Sequence, residues 1–216
     1  MKGENIVYFK YLLNLRYRVE WRGLEHLNAG RSCLLLPNHP AEVDPLILLV
    51  CFWQNIKPRP VILEKYIRMP LIGAWARAVG AIPLPDLDES TSANDLTEVQ
   101  QGLSQAAAAL RDGDSLLLYP SGRLMRNGSE RLYGASSAFD LMRQAPDARV
   151  LLVRISGLFG SRSSTAHSGG TPPHPLWFLA RSTVLLLLHG VFFMPKRHVL
   201  VEIEPASPEM LEAPDK

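Results

Sequence analysis

Cys33-Leu34-Leu35-Leu36-Pro37-Asn38-His39-Pro40-Ala41-Glu42-Val43-Asp44-Pro45 passes from an unbroken apolar run into a polar turn, and then into Leu46-Ile47-Leu48-Leu49-Val50. An apolar run without alternation is what a strand covered on both faces requires. The turn that leaves it carries His39 and Asp44 together. A neutral imidazole takes a proton from a hydroxyl near pH 7, and a carboxylate on its other nitrogen fixes the tautomer and stabilises the imidazolium. Asp44 before Pro45 also has the form of a helix N-cap with proline at the first helical position. His39 equally has the form of a hydrogen-bonded loop histidine, so the motif in isolation leaves both readings open.

Other strand-like runs lie at Arg18–Trp21, Pro60–Leu63, Ala81–Leu84, Ser115–Tyr119, Val150–Ile155 and Val199–Ile203. They alternate with helical stretches near 45–54, 70–79, 92–111 and 135–144, which is α/β order. Ser115–Tyr119 and Val150–Val153 are again apolar throughout, so a layered sheet flanked by helices on both faces is expected. Ligands bind beyond the strand ends of such sheets, where His39 and the segment after Tyr119 would both lie. Asp86–Asn94 reads as an acidic loop, and Gly160–Pro175, rich in Ser, Gly and Pro, as a mobile surface connector. His167 and His174 fall in that connector and read as solvated loop residues.

With 216 residues and 47% hydrophobic content, the chain fits one domain with a substantial core. Twenty-three Lys and Arg against 21 Asp and Glu leave a formal charge of +2, too balanced to propose a nucleic-acid partner. Cys33 and Cys51 lie in apolar segments and read as core residues, with neither a disulfide framework nor a metal set. No secretory signal and no ordinary transmembrane helix are expected.

The strand at Ser115–Tyr119 runs into Tyr119-Pro120-Ser121-Gly122-Arg123-Leu124-Met125-Arg126. Gly122 permits a sharp turn, while Arg123 and Arg126 offer guanidinium groups that can hold a phosphate bidentately; a plain basic turn after a strand has the same residues. Ser121 is no nucleophile elbow, because Tyr119 occupies the first glycine position of Gly-x-Ser-x-Gly.

The blocks NHPAEVDP, Lys65 with Pro70-Leu71-Ile72-Gly73, GAIPLP at 80–85, YPSGR at 119–123 and LLVRISG at 151–157 together resemble the glycerolipid acyltransferase family. The resemblance covers about residues 17–204 with the blocks in family order. His39 and Asp44 match the family's His-x-x-x-x-Asp block; Tyr119, Pro120, Gly122 and Arg123 match its third block. Ser121 stands where the family has glutamate, and Gly80–Asp86 lacks the arginine of the second block. The forms Ala-Ile-Pro-Leu-Pro and Pro-Ser-Gly-Arg-Leu are most similar to acyltransferase domains fused to acyl-carrier-protein synthetases.

The resemblance implies a glycerol-phosphate acyltransferase-like α/β fold, with a layered mixed sheet in a single domain at 17–216 after an N-terminal amphipathic segment at 1–16. It implies transfer of a fatty acyl group from acyl-CoA or acyl carrier protein to the hydroxyl of a lysophospholipid or glycerol-phosphate acceptor. No cofactor or metal is expected. His39 is then the general base, Asp44 its partner, and Arg123, Gly122, Ser121, Lys65 and Arg126 the substrate-binding set. Lipid substrates call for a membrane surface, and a peripheral or monotopic place on its cytoplasmic face is expected. Two segments could meet it: the basic and apolar residues 1–22, otherwise a helix covering a sheet edge, and Leu176–Met194, otherwise a core helix. A catalytically inactive lipid-binding protein on the same scaffold and an acyl-thioester hydrolase are the competing functions.

Overall fold

The computed structural model describes residues 3–27, 30–85, 93–132, 135–167, 177, 180–181, 183–185, 187–188 and 195–211. Helix α1 (Gly3–Arg16) leads into β1 (Tyr17–Arg22), and β2 (Cys33–Pro37) is followed by α2 (Asp44–Phe52) and β3 (Arg59–Leu63). Two short helices, α3 (Glu64–Ile67) and α4 (Pro70–Ala78), precede β4 (Ile82–Leu84) and the long α5 (Ala93–Arg111). Then come β5 (Leu116–Leu117), α6 (Ser137–Gln144), β6 (Arg149–Ser156), β7 (Arg197–Pro205) and α7 (Pro208–Leu211). The seven strands form one sheet in the order β1-β7-β6-β2-β5-β3-β4. Every neighbouring pair is parallel except β6 and β7, which makes the sheet mixed, as expected.

The apolar runs explain the layering. In β2, Leu34 and Leu35 point to opposite faces, and each joins a different core. Leu35 packs with Leu13 of α1 and Ile47, Leu48 and Phe52 of α2. Leu34 packs with Leu103, Ala106 and Leu110 of α5 and Leu141 of α6. Burying one such leucine is worth about 1.5–3 kcal/mol, so strands without polar alternation are held only where helices cover both sides. Cys33 is buried in this core, as its apolar setting implied, and Cys51 is half-buried.

Strand β5 is shorter than the apolar run Ser115–Tyr119 suggests. Leu118 still donates its N–H to Leu35 O at 3.0 Å, but Tyr119 accepts a turn bond from Gly122 N–H at 3.0 Å. Pro120 has no N–H to give, so the ladder ends there. Because β2 and β5 are parallel neighbours in the register Leu35↔Leu117, the loops that leave them emerge side by side at one edge of the sheet.

The segment Gly160–Pro175 differs from expectation over its first half. Ser161, Ser163, Ser164 and Thr165 are buried, not solvated. Their hydroxyls satisfy one another and the backbone: Ser161 Oγ and Ser163 Oγ are 2.8 Å apart, and Ser164 Oγ donates to Ser161 O at 2.7 Å. Residues 168–175, with His174, lie outside the described residues, as does 86–92 of the acidic loop. Within Leu176–Met194, residues 177, 180–181, 183–185 and 187–188 are described and helical. Among the described residues no helix is long and apolar enough to cross a membrane.

Gly157 closes β6 and starts the path to the serine-rich turn. Its φ is +86°, and a Cβ there would sit 2.3 Å from His198 O of β7. Neither conformation nor space admits a side chain. Gly157→Ala should therefore lower stability by at least about 2 kcal/mol, read from the urea midpoint; an unchanged midpoint would contradict this packing.

Candidate active site

The turn after β2 is fixed from several sides. Asn38 Nδ2 donates to Ile155 O at 3.0 Å, and Ile155 N–H donates to Asn38 Oδ1 at 2.6 Å, tying the start of the turn to β6. His39 O accepts the Met125 N–H at 2.7 Å, which joins this turn to the one after β5. Glu42 N–H donates to Ser163 O at 2.9 Å, and Thr165 Oγ1 donates to Met125 O at 2.5 Å. The buried serine-rich turn thus braces both loops, a role its composition concealed.

Asp44 decides between the two readings of its motif. Val43 is the N-cap residue of α2, with no side-chain capping bond, and the Asp44 carboxylate turns back onto the loop. It is fully buried. Oδ2 lies 3.1 Å from His39 Nδ1 and accepts the Ala41 N–H at 3.1 Å, while Oδ1 accepts the Tyr119 hydroxyl at 2.5 Å. A carboxylate only accepts, so Nδ1 carries the proton and Nε2 is left with the lone pair. The His39 side chain is 17% exposed. Its ring packs on that of Tyr119, centroids 4.1 Å apart. Burial, then the Asp44 charge and hydrogen bond, hold the Tyr119 phenol well above its ordinary range, so it stays a donor.

The second loop supplies a basic hollow lined by Ser121, Arg123, Leu124, Arg126, Ser129, Glu130 and Arg131. Gly122 adopts φ +61° with open space where a Cβ would be, so its freedom serves the turn alone. Ser121 is buried, with Oγ 2.5 Å from Glu130 Oε1. On the other side of Glu130 an open groove of about 470 Å³ is walled by Leu36, Pro37, Met125, Leu132, Leu152 and Val153. Lys65 sits in α3 with Nζ over the Tyr66 ring, and it lines neither hollow nor groove. The Met125 N–H to His39 O bond and the Tyr119 hydroxyl to Asp44 bond bring His39 and Asp44 beside the loop that carries Ser121, Gly122, Arg123 and Arg126, at one edge of the sheet. Among the described residues no group of His, Cys, Asp or Glu could hold a metal ion.

A family model described as Acyltransferase matches residues 18–156. The fold is similar to that of the 1-acyl-sn-glycerophosphate (LPA) acyltransferase PlsC from Thermotoga maritima. The two are 17% identical over 98% of this chain and 71% of that chain, with a TM-score of 0.63. At that identity the likeness is one of fold. No curated protein matches the sequence.

Glu42, beside the His39–Asp44 pair, is pushed by burial up to about 7 from 4.5, with the His39 charge opposing. The folded protein holds this proton where the unfolded chain has released it. Any stability it lends is complete below about pH 4.5 and is lost as pH rises through 7. Glu42→Gln should then gain about 1–2 kcal/mol over the parent near pH 8, after allowance for solvent screening, and almost nothing near pH 4. Denaturant midpoints at the two pH values check this; equal shifts at both would contradict it.

Proposed function

The chain belongs to the Acyltransferase family, and from that premise we propose that it moves a fatty acyl group from a thioester donor to the hydroxyl of a lysophospholipid or glycerol-phosphate acceptor. The observation that carries the proposal is the His39 Nδ1 to Asp44 Oδ2 contact at 3.1 Å, which leaves Nε2 free to act as base. Nε2 takes the acceptor's hydroxyl proton as that oxygen attacks the thioester carbonyl. The new C–O bond forms, the C–S bond breaks, and the proton passes from the imidazolium to the departing thiolate. Transfer is direct, so no acyl-enzyme is required.

Arg123, and beside it Arg126, suits an acceptor phosphate, because guanidinium and phosphate match in charge and geometry. The apolar groove suits a lipid chain. PlsC from Thermotoga maritima is a 1-acyl-sn-glycerophosphate acyltransferase, which favours an anionic lysolipid acceptor here. The donor is acyl-CoA or acyl carrier protein.

Delivery of such substrates calls for contact with a bilayer. On α1, Leu13 is buried and Phe9 packs on the core, while Tyr8 and Tyr11 are 70% and 69% exposed and Leu12 and Leu15 lie beside them. Trp177, Val184, Leu187 and Leu188 are exposed as well. We assign these two apolar surfaces to a membrane interface, where aromatic and aliphatic side chains partition favourably.

The test is a transfer assay with labelled acyl-CoA and lysophosphatidate in anionic vesicles. The parent should give labelled diacyl product, and His39→Ala should lose roughly 10²- to 10⁴-fold in turnover. Full activity in His39→Ala would refute the base. Free fatty acid formed regardless of acceptor would mean hydrolysis instead, and neither product would mean a binding role. The chain should also float with the vesicles; a chain left in solution at low salt contradicts the membrane assignment.

A further inference from the structure

Tyr119 contacts both members of the His39–Asp44 pair, yet the transfer as written gives it no part. Its hydroxyl donates to Asp44 Oδ1 at 2.5 Å, and its ring lies against the His39 ring, centroids 4.1 Å apart with 32° between the planes. Its carbonyl oxygen accepts the Gly122 N–H at 3.0 Å, which closes the turn that leads to Arg123. The two Asp44 oxygens are unequally served. Oδ2 meets both His39 Nδ1 and the Ala41 N–H, each at 3.1 Å, whereas Tyr119 is the one donor to Oδ1 among the described residues. The torsion that sets the plane of an aspartate carboxylate is broad and roughly two-fold, so bonds to both oxygens are needed to fix it.

We propose that Tyr119 is a positioning residue, whose hydroxyl anchors Asp44 Oδ1 and so holds Oδ2 on His39 Nδ1, keeping Nε2 in the direction from which the acceptor's hydroxyl must come. The hydroxyl acts on the base through Asp44 and exchanges no proton with the acceptor. Burial, then the Asp44 charge and hydrogen bond, hold the phenol above its ordinary range, so it keeps its proton and remains a donor. An outer partner that orients an orienting carboxylate in this way limits how far the base can stray. Because the same residue begins the turn toward Arg123, the proton-accepting end of the site is tied to the phosphate-holding end by contacts of known length.

The inference rests on His39 acting as the base, and Tyr119→Phe separates its failure from the failure of that reading. Phenylalanine keeps the ring against His39 and deletes only the hydroxyl. The first readout, in the full chain, is the Ala41 backbone amide proton, which needs no turnover. With the phenol gone, the Asp44 charge is shared by the Ala41 N–H and the His39 Nδ1–H alone, so the Ala41 proton should be drawn closer and move downfield. The second is kinetic: kcat should fall about 10- to 100-fold while KM for lysophosphatidate and for acyl-CoA each stay within about threefold, as a small misplacement of the base does. In the parent itself the phenolic proton, held on a carboxylate, should give its own resonance downfield of the backbone amides, and its absence overturns the anchor even if the variant fails to fold. An Ala41 amide that does not move downfield overturns the anchor as well. A moved amide with kcat unchanged, or a loss carried by KM alone, overturns the positioning role. A parent protein that transfers no acyl group overturns the acyltransferase reading instead, and the two resonances still decide whether the anchor exists.

Discussion

A carboxylate removed from water must find partners inside the protein, and Asp44 is fully buried. Its two oxygens meet three donors: the Ala41 N–H, the His39 Nδ1–H and the Tyr119 hydroxyl. Each comes from a different constraint. Ala41 is presented by the turn, His39 by the end of β2, and Tyr119 by the end of β5. Removing one donor would leave charge stranded in the interior, at a cost of several kcal/mol. The same bonds that make burial tolerable also set the imidazole tautomer, so stability and chemistry depend on one side chain.

The sheet makes that convergence possible. Parallel neighbours β2 and β5 deliver their loops to the same edge, and β6, on the other side of β2, anchors the Asn38 side-chain amide through a pair of bonds with the Ile155 backbone. Around this centre the buried serine-rich turn holds Glu42 and Met125, and Met125 in turn holds His39. Loop segments are ordinarily the least fixed parts of a fold. Here the loops after β2 and β5 are each bonded to at least one other element, which limits the freedom of the groups they carry.

Much of this was legible in the sequence where the governing contacts are local. The unalternated runs in β2 and β6 gave away a sheet covered on both faces, and the short spacing of His39 and Asp44 let one turn bring them together. Tyr119 stood out as a motif position, yet its hydroxyl partner lies 75 residues away in sequence and follows only from the β2–β5 register. Glu130 left no signal at all, because nothing local distinguishes it from a solvated loop acid. The serine-rich segment misled by composition: small hydroxyl residues suggest a wet loop, but they can also satisfy one another once buried. Lys65 matched a motif in sequence, but it lies in α3, outside the hollow that Ser121, Arg123 and Arg126 line.

The central claim is that a buried carboxylate orients the imidazole that takes the acceptor's proton. Its most direct test is the turnover of purified Asp44→Asn, which keeps the side chain's shape but can present a donor where His39 Nδ1–H needs an acceptor. The account predicts a loss of roughly 10³- to 10⁴-fold in kcat with the fold intact by circular dichroism. Turnover within about threefold of the parent would contradict it.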